Sequence, residues 1–164
     1  QLPLEMCQTM NGMWGYKVSD TNYKSVEELV ELIVRAAAKG SNLLLNIGPQ
    51  PNGQLPALSL DRLHGIGAWM EQYSESVYGT QRSTTVGEQE WGVATEKEGR
   101  TFLHVLDRKA QRLTVPTARK PRRVAAFPSG ELLTTTYDKR AGKLTVELPA
   151  HLDVIDYVVE VTLK

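Results

Sequence analysis

The histidines and the cysteine are the residues most suited to metal or redox chemistry, and their number and spacing exclude several kinds of functional site. Three histidines, His64, His104 and His151, lie far apart and lack a spacing typical of metal ligands. The single cysteine, Cys7, excludes an internal disulfide and a cysteine-based zinc site. We therefore expect neither a metal site nor a cofactor.

Phosphate and nucleic-acid chemistry are also disfavoured. The loop from Gly48 to Gly53 lacks the Lys-Ser/Thr pair of a phosphate-binding loop, and its two prolines remove amide donors. Lys+Arg and Asp+Glu both number 19, so no net charge attracts the chain to nucleic acid or to an anionic membrane. No apolar run approaches the roughly 18 residues that a membrane span requires. We expect no nucleic-acid and no membrane partner.

A helix and a strand are the best-defined elements of the first half. Ser25 and Glu28 form a capping box, and apolar residues then recur at helical spacing until Gly40, which is expected to end the helix. Residues 43–47, a continuous apolar run, predict a parallel strand covered on both faces. Asn46 interrupts this run; its amide either orients the loop from Gly48 to Gly53 or bonds to neighbouring backbone.

A second helix is predicted from about Leu60 to Tyr73, with Ser59 as its N-cap. Gly65 and Gly67 within it suggest close packing on a neighbouring element. The order helix, strand, loop and helix is typical of a βα-repeat architecture.

The pattern changes near Thr80. Up to that residue the chain has 5 basic and 8 acidic residues, and after it 14 and 11. Residues 81–164 contain short alternating runs separated by turn signals, which predict about seven antiparallel strands in a two-sheet sandwich. We therefore predict two domains, 1–80 and 81–164.

Five segments, taken in order, resemble glycoside hydrolase family 29, the α-L-fucosidases. The first runs from Glu5 to Tyr16 and is similar to the family's E-x-C-x-T followed by W-G-Y. The others are Lys39 to Pro49, Asn52-Gly53, Ile66-Gly67-Ala68-Trp69 and Glu75 to Thr80. The resemblance implies the last βα units of a (β/α)8-like TIM barrel followed by an antiparallel β-sandwich, in agreement with the two predicted halves.

The resemblance also implies an activity. Family members are retaining glycosidases, so this chain is expected to be part of an exo-acting α-L-fucosidase acting on fucosylated oligosaccharides or glycoprotein glycans. The Gln8-to-Trp14 version of the motif favours α-1,3/1,4-linked fucose. The nucleophilic Asp of the family lies upstream of Gln1, so the chain is expected to need the upstream barrel. The alternative is a non-catalytic carbohydrate-binding or interaction module.

Three residues are candidates for the site. Glu5 aligns with the Glu proposed as acid/base in part of the family, and was expected at the carboxyl end of a barrel strand; the alternative is a structural carboxylate that holds an Arg. Trp14 and Tyr16 would offer an aromatic wall to the apolar side of fucose, or belong to the core. Cys7 is expected to be a small buried residue.

Other features are assigned structural roles. Glu75 and Tyr78 are expected to tie the barrel's end to the sandwich, and the basic stretch from Arg108 to Arg123 to be a solvated surface. His104 and His151 are expected to be satisfied core or surface side chains. The opening residues, 1–7, read as the interior of an element and suggest a fragment. By resemblance the compartment is periplasmic, secreted or lysosomal.

Overall fold

The computed structural model describes residues 4–163, so the predictions for residues 1–3 and 164 lie outside the described residues. The chain divides into two compact units that meet between Ser74 and Glu75. This division lies slightly before the predicted one at Thr80. Neither helix of the described residues is long and apolar enough to cross a membrane.

The first unit is a β-α-β arrangement followed by a helix. The two strands pair in parallel, with Glu5 opposite Asn42 and Thr9 opposite Asn46. Helix α1 connects them and packs against the second strand. The elements are β1 (Leu4–Thr9), α1 (Val26–Ala38), β2 (Ser41–Asn46) and α2 (Ala57–Tyr73).

The predicted limits of α1 are confirmed. Ser25 is the N-cap, its hydroxyl accepts a hydrogen bond from the Glu28 amide, and the Glu28 carboxylate accepts one from the Ser25 amide. Gly40 follows the helix with φ of 70°, the left-handed conformation that glycine adopts at low cost. Leu29, Val30 and Val34 form its buried stripe.

The predicted start of α2 is wrong. The helix begins at Ala57, Pro56 occupies the N-cap position without a side-chain cap, and Ser59 is a buried residue inside the first turn. Proline fits a helix start because its fixed φ suits the first turn and it has no amide to satisfy. Close packing is confirmed for Gly65, where a Cβ would lie 2.5 Å from Val26 Cγ2, but not for Gly67, which has no neighbour within 4 Å.

Burial alternates along β1 and β2. Met6, Leu43 and Leu45 are half-buried, whereas Cys7 and Leu44 are exposed. In a strand, alternate residues point to opposite faces, so α1 covers one face and the other is uncovered. We call the uncovered side the open face; its residues are Glu5, Cys7, Thr9, Asn42, Leu44 and Asn46. The predictions of a buried Cys7 and of a strand covered on both faces are therefore wrong for the described residues.

The second unit is an antiparallel sandwich, as predicted, with eight strands among the described residues. The strands are β3 (Gln81–Arg82), β4 (Gly92–Lys97), β5 (Arg100–Val105), β6 (Arg112–Pro116), β7 (Arg123–Phe127), β8 (Thr135–Asp138), β9 (Lys143–Glu147) and β10 (Tyr157–Thr162). A five-stranded sheet has the order β3-β4-β5-β10-β7, and a three-stranded sheet has the order β6-β9-β8.

The core of the second unit lies between its two sheets. Leu103 and Val159 of the larger sheet pack with Leu113, Leu144 and Val146 of the smaller one, and all five are at most 1% exposed. Along β6 and β9 the inward residues alternate with more exposed ones, which is the pattern of a sheet with one wet face. The second unit therefore contains its own hydrophobic core.

Candidate functional site

The most prominent feature of the first unit is the segment between β1 and α1, residues 10–24, which we call the aromatic loop. It carries Trp14 and Tyr16, whose side chains are 56% and 40% exposed. It follows the carboxyl end of β1, the end at which enzymes with βα-barrels place their sites. Loops of this length without regular structure are uncommon in compact domains and are usually functional.

The base of the aromatic loop is fixed to both strands. The Met10 amide donates to the Asn46 carbonyl at 3.0 Å, and the Lys24 amide donates to the Met10 carbonyl at 3.0 Å. The Lys24 ammonium donates to the Thr9 carbonyl at 2.6 Å. The loop thus begins and ends at a hydrogen-bonded junction.

Asp20 organises the middle of the loop. Its Oδ2 accepts hydrogen bonds from Asn11 Nδ2 at 3.0 Å and from the Gly12 amide at 3.1 Å, while Oδ1 accepts from the Asn22 amide at 3.1 Å. All three donors are neutral N–H groups and the acceptor is ionised, so these bonds are stronger than neutral ones. The hydrogen bond from the amide two residues later forms an Asx turn. The polar run from Ser19 to Asn22 is typical of such a turn, although we did not predict one there.

Strand β2 holds the aromatic segment of the loop. Asn46 Nδ2 donates to the Trp14 carbonyl oxygen at 2.7 Å, so its amide bonds to neighbouring backbone, one of the two predicted roles. Gly48 lies directly against the same segment, since a Cβ there would be 2.6 Å from the Gly15 carbonyl carbon and from the Tyr16 amide nitrogen. The end of β2 therefore fixes the backbone from Trp14 to Tyr16 while both ring systems remain exposed.

Glu5 lies elsewhere on the strand. It is the second residue of β1, exposed and on the open face, four residues before Thr9 at the carboxyl end. At about 3.3 Å per residue, roughly 13 Å of strand separates the two. The expectation that Glu5 lies at the carboxyl end is wrong, because four more residues of the strand follow it. The structure brings Trp14 and Tyr16 into one loop and does not bring Glu5 to them.

The neighbours that the structure gives Glu5 are a thiol and an asparagine. The Cys7 thiol is 3.9 Å from its Oε1, and Asn42 is its partner residue on β2. No Lys or Arg among residues 4–163 forms an ion pair with Glu5, so the alternative of a carboxylate that holds an Arg receives no support from the described part of the chain.

A second polar cluster is buried in the second unit, on the face of β5 opposite Leu103, and the sequence did not predict it as a cluster. His104 Nδ1 lies 2.7 Å from Asp156 Oδ2, and both side chains are fully buried. Thr95 Oγ1 donates to the Ser76 carbonyl at 2.7 Å, and His104 Nε2 lies 3.3 Å from the same oxygen. His104 is thus a satisfied core residue, as predicted, while His151 is exposed.

Contacts of the second unit hold the segment that follows α2. Glu75 Oε1 accepts from Arg100 Nη2 at 2.5 Å, and the Lys97 ammonium donates to the Tyr78 carbonyl at 3.1 Å. The Glu75 carboxylate raises the pKa of Arg100 through this hydrogen bond. Both predicted anchoring residues therefore bond to the hairpin of β4 and β5.

The basic stretch is a surface, as predicted. Its charged residues are all exposed and extend from the connection before β6 to the start of β7, and these two strands belong to different sheets. They are Arg108, Lys109, Arg112, Arg119, Lys120, Arg122 and Arg123.

The chain is similar to known proteins along its whole length. The model of the α-L-fucosidase family matches residues 1–75. The plasma α-L-fucosidase of Homo sapiens is 33% identical over 101 residues, which cover 57% of this chain and 22% of the human protein.

Solved structures extend the similarity across the second unit. α-L-Fucosidase isoenzyme 1 of Paenibacillus thiaminolyticus is 32% identical with a TM-score of 0.90, over 99% of this chain and 40% of that one. A family 29 α-L-fucosidase of Bacteroides thetaiotaomicron, trapped as a covalent intermediate with 2-fluoro-fucosyl fluoride, is 25% identical with a TM-score of 0.87, over 98% and 38% of the two chains.

The chain spans about a fifth of the length of the curated relatives that it matches, and about two fifths of the solved structures. The match to the family model covers the open face, the aromatic loop and both helices, and the structural match adds the sandwich. The chain thus resembles the α-L-fucosidases of glycoside hydrolase family 29, in sequence over its first unit and in structure over both units.

Proposed function

We propose that this chain is part of an exo-acting, retaining α-L-fucosidase that removes terminal α-L-fucose from glycoconjugates. The observation that carries the proposal is the agreement, over 99% of the chain, with the structure of an α-L-fucosidase. The trapped covalent intermediate of the relative from Bacteroides supports a retaining mechanism, because retention requires a glycosyl-enzyme intermediate.

In this proposal the first unit forms two βα units of the catalytic barrel. A parallel β-α-β unit followed by a helix is the repeat from which such barrels are built. The open face, with Leu44 and Cys7 exposed, is suited to the barrel interior, and further strands would pair with the outer edges of β1 and β2. The upstream part of the enzyme is thus the first proposed partner of this chain.

The proposed chemistry divides between two carboxyl groups. A nucleophilic carboxylate outside this chain attacks the anomeric carbon, while an acid protonates the glycosidic oxygen as the bond to it breaks. The same acid, now a base, takes a proton from water, which displaces the carboxylate and releases fucose with its configuration retained. We propose Glu5 for the acid/base role on the family motif, its exposure on the open face and its lack of an ion pair among the described residues.

Trp14 and Tyr16 are proposed to contact the sugar. Their exposed rings stand on backbone that Asn46 and Gly48 hold in place, so little conformational entropy would be lost on binding. An apolar ring surface suits the methyl group and C–H groups of fucose without competing for its hydroxyls. The proposed substrates are fucosylated oligosaccharides and glycoprotein glycans with α-1,3/1,4 linkages, met in a periplasmic, secreted or lysosomal compartment.

The test is the variant Glu5→Gln in the intact enzyme that contains this chain. If Glu5 is the acid, kcat/KM should fall most for natural oligosaccharides, whose leaving groups need protonation, and least for aryl fucosides with good leaving groups. Glu71→Gln, which changes an exposed carboxylate on α2 in the same way, is the control and should leave both rates unchanged.

Two results would contradict the proposal at different levels. An equal loss on both classes of substrate would remove Glu5 from the acid role, in keeping with its place four residues before the carboxyl end of β1. If the intact wild-type protein hydrolyses no α-L-fucoside yet binds fucosylated glycans through residues 75–164, the second candidate, a carbohydrate-binding module, replaces the enzyme.

A further inference from the structure

Exposed aromatic side chains on a long loop usually cost binding free energy, because the loop must become ordered when it binds. The aromatic loop avoids this cost in the free chain. Its base is bonded to both strands, its aromatic segment is bonded to Asn46, and its centre is bonded to Asp20. These hydrogen bonds restrain the backbone of the loop and the side chain of Asn11. They do not use the rings of Trp14 and Tyr16.

Asp20 is the central element of this arrangement. Its side chain is partly buried beneath the loop, and its two oxygens bond to residues on both sides of Trp14 and Tyr16 in sequence: Asn11 and Gly12 before them, Asn22 after them. The carboxylate therefore closes the loop across its middle. The space around it is tight, since a Cβ on Gly12 would lie 3.1 Å from Asp20 Oδ2.

We propose that Asp20 is a positioning residue for sugar binding: it holds the aromatic loop in the conformation that presents Trp14 and Tyr16, and it takes no part in bond cleavage. The inference rests on the proposed function, and names a residue that serves the same site. Asn46 acts in the same sense from β2, through its bond to the Trp14 carbonyl.

The first test is kinetic and uses the intact enzyme. Asp20→Ala removes the two oxygens that accept all three hydrogen bonds and should raise KM for an aryl α-L-fucoside roughly tenfold, with kcat within about twofold of the wild type. Asp20→Asn keeps the volume but places an amide N–H against a donor, and should raise KM by a smaller factor. It serves as the second variant if Asp20→Ala does not fold.

The matched control is Asp138→Ala. Asp138 Oδ1 also accepts from two backbone amides, those of Arg140 and Ala141, in a turn of the second unit. The control therefore removes the same kind of bond away from the aromatic loop, and should leave KM and kcat unchanged. An equal rise of KM in the control would contradict the proposal.

The second test does not depend on activity. Hydrogen exchange of the amides of residues 11–22, measured on the intact protein, should become faster in Asp20→Ala and in Asn46→Ala, and remain unchanged in Asp138→Ala. Unchanged exchange in both loop variants would overturn the proposal, as would faster exchange with no change in KM. Absence of fucoside hydrolysis by the wild type would instead refute the proposed function, while the exchange result would still decide whether Asp20 orders the loop.

Discussion

Both units have leucines in their strands and bury them to very different degrees. In the first unit Leu4 and Leu44 are 51% and 42% exposed, whereas in the second Leu103 and Leu113 are fully buried. The residue types are the same, so the difference lies in what covers the strands. A strand in the sandwich is covered by the opposite sheet, while β1 and β2 have a helix on one face only.

The contrast teaches that hydrophobic composition alone does not specify a closed core. The second unit has two sheets that enclose its core. In the first unit only one face of the sheet is covered, so the other face is exposed. A two-stranded sheet is marginal in water without such coverage. The comparison predicts different behaviour of the two units in solution, beginning with the largest effect.

Separation of the units should have the largest effect. Residues 75–164 expressed alone should unfold in one cooperative thermal transition, because their core lies between their own sheets. Residues 1–74 alone should show no cooperative transition and should associate through uncovered strands. Calorimetry and sedimentation test this, and a monomeric 1–74 with a sharp transition would contradict it.

Removal of the buried histidine should be the next largest effect. His104→Ala leaves Asp156 buried without its partner, and should lower the free energy of unfolding of the second unit by about 3–5 kcal/mol. Asp156 Oδ1 has no hydrogen-bond partner among the described residues, so no other donor compensates. His64→Ala, at an exposed position of α2, is the control, and denaturant titration measures both; a comparable loss in the two variants would show that burial of the pair is unimportant.

A pair of leucine truncations should separate the two kinds of strand. Leu113→Ala opens a cavity in the sandwich and should cost about 3 kcal/mol, whereas Leu44→Ala in this chain should cost less than about 0.5 kcal/mol. In the intact enzyme, where the barrel is proposed to cover the open face, Leu44→Ala should cost more than about 2 kcal/mol. If Leu44→Ala caused an equally small loss of stability in the chain alone and in the intact enzyme, nothing would cover the open face.

A further predicted effect, smaller than that of Leu113→Ala, concerns the cap of α1. Ser25→Ala should destabilise the helix by about 1 kcal/mol. Hydrogen bonds from the Ser25 amide and hydroxyl hold the pKa of Glu28 below its ordinary value of 4.5. Since the pKa is lower in the folded state, the stabilisation by Glu28 is present above its unfolded value and lost as pH falls through its folded value.

The pH dependence supplies the check for this cap. The stabilities of the wild type and Glu28→Gln, followed by circular dichroism, should differ at neutral pH and converge below about pH 4.5. If the difference in stability between the wild type and Glu28→Gln stayed constant down to pH 2, protonation of Glu28 would not be coupled to folding.

Local signals were read correctly from the sequence. The capping box at Ser25, the left-handed Gly40 and the alternating strands of the sandwich depend on neighbouring residues, so their spacing predicts them. Gly65 was assigned to close packing for the same reason, and its contact with Val26 agrees. The start of α2 was missed because Ser59 is a strong N-cap type, whereas Pro56 starts the helix through its fixed φ.

Features that depend on distant residues were not predicted. His104 and Asp156 are 52 residues apart and meet only because β5 pairs with β10. The place of Glu5 opposite Asn42, four residues before the carboxyl end of β1, follows from the register with β2, which no spacing in the sequence specifies. The exposure of Cys7 depends on what lies against the open face, and the pattern of its own strand contains no information about that.

Cys7 gives the open face a chemical reporter. It is the only thiol in the sequence, and in this chain its sulfur is accessible to reagents. The rate at which a maleimide modifies it therefore measures how much of the strand surface is shielded from solvent. Comparing that rate in the free chain and in the intact enzyme would follow the closing of the interior without any mutation.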